Sequence, residues 1–164
     1  MRMLVRHLAA ILLLPFVVAV VVPEWLARAG GDTRWTGAAA LAAIARLGGA
    51  ALIVAGAVLF AWCVSLFVRV GRGTLAPWDP TQRLVAAGPY RLVRNPMITG
   101  VALVLAGQAL LRGSLFGAAW AVGFILINHF YFIHIEEPGL RRRFGESYGA
   151  YAARVPRWLP HRRK

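Results

Sequence analysis

Four apolar runs decide what this chain can fold into. They are "LAAILLLPFVVAVVV" at 8–22, "LGGAALIVAGAVLFAWCVSLFV" at 47–68, "MITGVALVLAGQALL" at 97–111 and "LFGAAWAVGFILINHFYFIHI" at 115–135. A bilayer core needs about 20 consecutive apolar helical residues. The second and fourth runs meet that length. The third must recruit the residues before it, tilt little, or lie where the bilayer thins. The spacing predicts an all-α polytopic membrane helix bundle with about four transmembrane helices. It forms a single membrane domain over 1–164, with a loop over 69–96 and a C-terminal segment over 136–164. Gly48, Gly49, Gly56, Gly100 and Gly107 suit close helix contacts within such a bundle. The first run also resembles a signal peptide, with "ARA" at 27–29 as a small-residue cleavage site. Its length and the interruption at Pro15 favour an uncleaved span.

Composition supports the membrane class: 59% of residues are hydrophobic and the formal net charge is +13. In a soluble chain such basicity would point to nucleic acid, but no nucleic-acid-binding signature accompanies it, and that partner is excluded here. Arginines between spans are what the positive-inside rule produces. Arg69, Arg72, Arg83, Arg91 and Arg94 follow the second run, and Arg141, Arg142, Arg143, Arg154, Arg157, Arg162, Arg163 and Lys164 follow the fourth. The turn between runs three and four carries only Arg112, and 24–46 mixes Arg28, Arg34 and Arg46 with Glu24 and Asp32. The two basic segments therefore belong on the cytoplasmic side, with both termini. The lone Cys63, inside an apolar run, reads as a small buried hydrophobe, and no thiol–metal cluster is available.

The turn "RGS" at 112–114 is just long enough to make runs three and four an antiparallel hairpin. The hairpin carries "RNP" at 94–96 and "EEP" at 136–138 to the same end. Glu136 and Glu137 are adjacent acids in a chain with only six. Placed at a helix C-terminus they would oppose the macrodipole. They serve either as partners of nearby arginines or as the face presented to a cationic ligand, and both can hold. Asn128, His129 and His134 are polar groups at membrane depth, which usually face the bundle interior or a water-filled cavity. His129 and Glu136, seven apart, share one face of a regular helix. After Pro138, Leu140, Phe144, Tyr148, Tyr151 and Val155 recur at three-to-four spacing, predicting an interfacial amphipathic helix whose Arg141–Arg143 attract anionic lipid headgroups. Pro156 and Pro160 end it, and Trp158 is placed to anchor at the interface. In the middle loop, Gly71 and Gly73 could form a backbone cradle for an anion, with Arg91 and Arg94 as the guanidinium forks that suit a carboxylate. Pro96 fits the first turn of the third run, whose free N–H groups favour anions.

"GPYRLVRNPM" at 88–97 followed by "EEPGLRRRFGESYGAYAARVPRWLP" at 136–160 resembles the isoprenylcysteine carboxyl methyltransferase superfamily, which takes in phospholipid N-methyltransferases. The resemblance covers about 69–160, and the "GRGTLAPWDP" lead-in is similar to bacterial members. It implies a polytopic membrane enzyme of a bacterial inner membrane that uses S-adenosylmethionine. The superfamily's "R-(H/N)-P" falls on Arg94, Asn95 and Pro96, preceded by Tyr90. Its glutamate pair falls on Glu136 and Glu137, its "FG-x-x-Y-x-x-Y" on Phe144, Gly145, Tyr148 and Tyr151, and its "VPR" on Val155, Pro156 and Arg157. A "G-x-G" can be laid on Gly71 and Gly73. Two residues depart from the pattern: Asn95 stands where the prenylcysteine enzymes usually have His, and Ile98 where a tyrosine is common.

The implied assignment gives Glu136, Glu137 and Arg94 the catalytic work. The cofactor is held by Gly71, Gly73, Tyr90, Arg94, Asn95, Pro96, Glu136, Glu137, Tyr148, Tyr151 and Arg157. Arg94 or Arg157 would hold the cofactor carboxylate, and Glu136 or Glu137 its amino group or sulfonium. Tyr148 and Tyr151 would contact adenine or close the site. A lipophilic small molecule or lipidated substrate from the bilayer is the acceptor. A carboxylate acceptor needs no base, whereas an ammonium acceptor needs one, for which Glu137 or His134 is available. Two alternatives stay open: a sterol-reductase-like membrane reductase using a nicotinamide cofactor, and a non-catalytic membrane protein that keeps the fold.

Overall fold

The computed structural model describes residues 12–30, 39–71 and 82–160. Six helices carry the fold: α1 (Leu12–Val21), α2 (Val22–Gly30), α3 (Ala39–Leu66), α4 (Pro96–Arg112), α5 (Leu115–Tyr131) and α6 (Glu137–Arg154). Wide π-type turns continue α3 over Phe67–Gly71 and join α5 to α6 over Phe132–Glu136, and a 3₁₀ turn spans Gly88–Arg91. No strand occurs among the described residues. The all-helical expectation holds. Two helices are long and apolar enough to cross a membrane, Ala39–Gly71 with 33 residues and Leu115–Arg154 with 40. The shorter α4, at 17 residues, reaches only about 25 Å.

Backbone contact between α3 and α4 forms the centre of the fold. Gly49 lies against Gly107 and Gly56 against Gly100, so the helices run antiparallel. A Cβ on Gly49 would stand 2.7 Å from the Gly107 carbonyl oxygen, and one on Gly107 would stand 2.5 Å from that of Gly49. Helix association in a bilayer depends on this kind of close packing, because lipid tails compete equally for apolar surface. Gly48 takes no part: nothing lies within 4 Å of where its Cβ would be.

The expected hairpin follows, and its turn chemistry is visible in the sequence. Gly113 adopts φ 62°, a left-handed conformation open to glycine, and its N–H reaches the Leu110 carbonyl while that of Ser114 reaches Ala109. Ser114 then caps α5 by accepting a hydrogen bond from the Gly117 N–H at 3.1 Å.

A proline docks the first helix to this hairpin. Pro23 has no N–H, so carbonyls one turn earlier lose a helical partner. Gln108 Nε2 donates to the Ala19 carbonyl at 2.8 Å and Trp120 Nε1 to that of Val18 at 3.1 Å. Glu24 also accepts from Arg112 at 3.0 Å, tying the start of α2 to the α4–α5 turn.

Burial is inverted relative to a soluble bundle. Within the most apolar windows of the two long helices only 11% and 17% of residues are buried. Ile44, Leu47, Val54 and Val58 on α3 and Leu115, Val122, Ile127 and Phe130 on α5 are exposed. Surfaces this apolar and continuous require lipid or a partner. The C-terminal helix departs from a simple interfacial rod. It bends at Gly145, whose φ of 52° and ψ of −128° lie outside helical space. Tyr148, Tyr151 and Val155 pack on Leu84, Leu140 and Phe144, so the apolar face covers the chain's own loop.

Candidate functional site

At the end of the bundle opposite the α4–α5 turn, "RNP" and "VPR" dock as two extended segments. The Arg94 N–H donates to the Pro156 carbonyl at 2.8 Å, and that of Asn95 to Arg157 at 3.3 Å. Glu137 fastens the pair from a third element. Its Oε1 accepts from Arg94 Nη1 at 2.7 Å and from Arg157 Nε at 2.6 Å, and its Oε2 accepts from Arg157 Nη2 at 3.2 Å. Glu137 is only 5% exposed, which is tolerable for a carboxylate because charged donors meet it from both sides. This carboxylate holds the Arg157 guanidinium firmly in its charged form. Tyr151 closes the cluster, its hydroxyl donating to the Tyr90 carbonyl at 2.7 Å.

Beside this knot opens a cavity of about 810 Å³. Its polar end is formed by Tyr90, Arg94, Glu136, Arg142, Arg143 and Tyr148. From there it runs between the helices past Met97 and Ile98 to Phe60, Val101, Trp120 and Phe124. Two buried polar groups of the polar end, Arg94 Nε and Tyr148 Oη, interact with each other and make no hydrogen bond to any further group among the described residues. The large majority of buried side-chain polar atoms are fully partnered, so a donor with spare capacity beside a cavity is suited to a ligand or a water. Glu136 is the acid that faces the cavity. Ile127, Tyr131 and Ile135 both line the cavity and lie exposed on the outer apolar surface, so it opens sideways along α5.

The expected site residues divide into three groups. Tyr90, Arg94, Glu136, Tyr148 and Tyr151 line the cavity. Asn95, Pro96, Glu137 and Arg157 stand behind it and hold its wall together. Gly71 lies away from it at the end of α3, with its carbonyl accepting from the Gln82 and Arg83 N–H groups, and Gly73 lies outside the described residues.

Three expectations are corrected by the wide turn at Phe132–Glu136. The helix does not stop at the glutamates, so no macrodipole conflict arises. The altered pitch separates His129 from Glu136: Glu136 turns to the cavity, while His129 Nδ1 accepts from Trp158 Nε1 at 2.9 Å. His134 is exposed, stacks on Phe130 and does not line the cavity. Trp158 correspondingly folds onto α5. The sequence reading passed over Arg142 and Arg143 as cavity residues. The signal available was their position six and seven residues, about two turns, beyond Glu136 on a continuing helix.

A family model described as phospholipid methyltransferase matches residues 44–147, from α3 into α6. No curated protein and no solved structure matches the chain.

Proposed function

The chain belongs to the phospholipid methyltransferase family, and from that premise we propose that it methylates a lipophilic acceptor drawn from the bilayer, using S-adenosylmethionine. The observation that carries this reading is the two-ended cavity: cationic and hydroxyl donors and a carboxylate at one end, apolar walls at the other, and a sideways opening between.

The residues fit the cofactor. Arg94 and Tyr148 stand side by side with buried donor atoms, suited to its carboxylate or ribose oxygens. Glu136 supplies the negative charge that its ammonium or sulfonium needs. Tyr90 and Tyr151 offer aromatic surface to adenine. When bound, the cofactor supplies an electrophilic methyl for in-line displacement. The protein's share is to bind, orient and exclude water. Glu137 performs the orienting indirectly, because it fixes Arg94 through Nη1. An acceptor that must lose a proton has Glu136 within the same cavity as its base. Ile98 lines the path between the two ends and is placed to touch the acceptor.

The test is tritium transfer from methyl-labelled cofactor to lipid extract by the purified protein in nanodiscs, with products identified by a mass gain of one methyl. Arg94→Ala and Glu136→Gln should abolish labelling. Absence of both cofactor binding by calorimetry and lipid labelling would remove the proposal.

A further inference from the structure

We infer that the apolar arm of the cavity holds one hydrocarbon chain of the acceptor and that Trp120, fixed by the first helix, sets the longest chain accepted. The inference rests on the methyl-transfer reading above and extends it to chain-length selection.

Along α5 and the wide turn after it the cavity lining begins at Trp120 and continues past Glu136. The two lie sixteen positions apart, on the order of 20 Å along the helix. Trp120 therefore closes the end farthest from the polar groups, together with Val18, Phe60 and Val101. A large ring in an apolar arm sets a firm limit only if it cannot swing aside. This one is pinned, its Nε1 donating to the Val18 carbonyl at 3.1 Å. That carbonyl is available because Pro23, one turn on, has no N–H to offer it. The pin thus comes from α1 and α2, which lie outside the family-matched residues 44–147.

The physics also predicts the form of the selectivity. A chain leaving the bilayer for an apolar arm exchanges one hydrocarbon environment for another, so longer chains gain little. A chain too long for the arm must strain close-packed walls, which is costly. Chain length should act as a cut-off, with little gradient below it.

Two measurements test this in nanodiscs with the full chain. In the first, single-chain phospholipids of increasing length carry a diazirine on the terminal carbon, and the adducts are located by mass spectrometry. Adducts on Trp120, Val18 or Phe60 over a narrow range of lengths are expected, whereas adducts confined to outward residues such as Val54, Val58 and Trp62 overturn the inference. In the second, methyl transfer is profiled over acceptors of graded chain length. Trp120→Ala should move the cut-off to longer chains, and Val101→Phe, which fills the arm from α4, to shorter ones. An unchanged cut-off in both variants, with transfer intact, overturns it. Arm labelling without transfer to any acceptor would uphold the chain site and remove the methyl-transfer reading, so the two fail separately. The labelling experiment and Val101→Phe stand if Trp120→Ala does not fold.

Discussion

Adjacent glutamates do opposite work here. Glu137 is buried between Arg94 and Arg157, and Glu136 faces the cavity. Neutralising one partner of a buried pair costs about 3–5 kcal/mol, because the other charges stay desolvated. Glu137→Gln should lose stability toward that size, lessened by the exposure of Arg157, and read as a lower detergent melting temperature. Glu136→Gln should melt like the parent and lose about tenfold or more in cofactor affinity by calorimetry, the worth of a hydrogen bond to a charged group. Equal melting losses in the two variants would refute this division. The sequence made the arginines and glutamates visible as a cluster. Which glutamate faces inward depends on a turn of altered pitch that neither Pro nor Gly marks in "FIHIE".

Among the elements, α3 and α4 were most legible, since Gly49 and Gly56 match Gly107 and Gly100 at a spacing of seven. Gly48 misled because a neighbouring helical residue points about 100° away on a 3.6-residue turn. The contrast gives a prediction. Gly56→Ala puts a methyl group into the Gly100 carbonyl and should cost about 1–3 kcal/mol, as overpacked sites do. Gly48→Ala meets open space and should be neutral or slightly stabilising, since alanine is the better helix former. Thermal melting of the two variants side by side checks it, and equal losses would show that the helices are not in backbone contact. The hairpin was legible for the same local reason, with Gly113 as the left-handed residue and Ser114 as the cap. The bend at Gly145 was not, because "RRRFGESYGAY" keeps one helical periodicity through it, and only the backbone shows the break.

For the whole molecule, the ion pairs mark two ends. Glu24 meets Arg112 beside the α4–α5 turn, and Arg94 meets Glu137 at the far end of α4, about 25 Å away. Apolar surface faces outward between them. If that surface is lipid-covered, the ends lie on opposite sides of the membrane, and the arginine distribution predicts that the Arg94 end is the cytoplasmic one. The native chain is well suited to a labelling test because its single cysteine, Cys63, is fully buried. Arg28→Cys and Glu146→Cys introduce exposed thiols at the two ends. An impermeant maleimide added to intact spheroplasts should label the first and not the second. Inverted vesicles should reverse the pattern, and the parent chain should stay unlabelled in both. Labelling of both positions from one side would mean that the hairpin does not cross the bilayer. The cavity would then lack the sideways access to lipid on which a bilayer-borne acceptor depends.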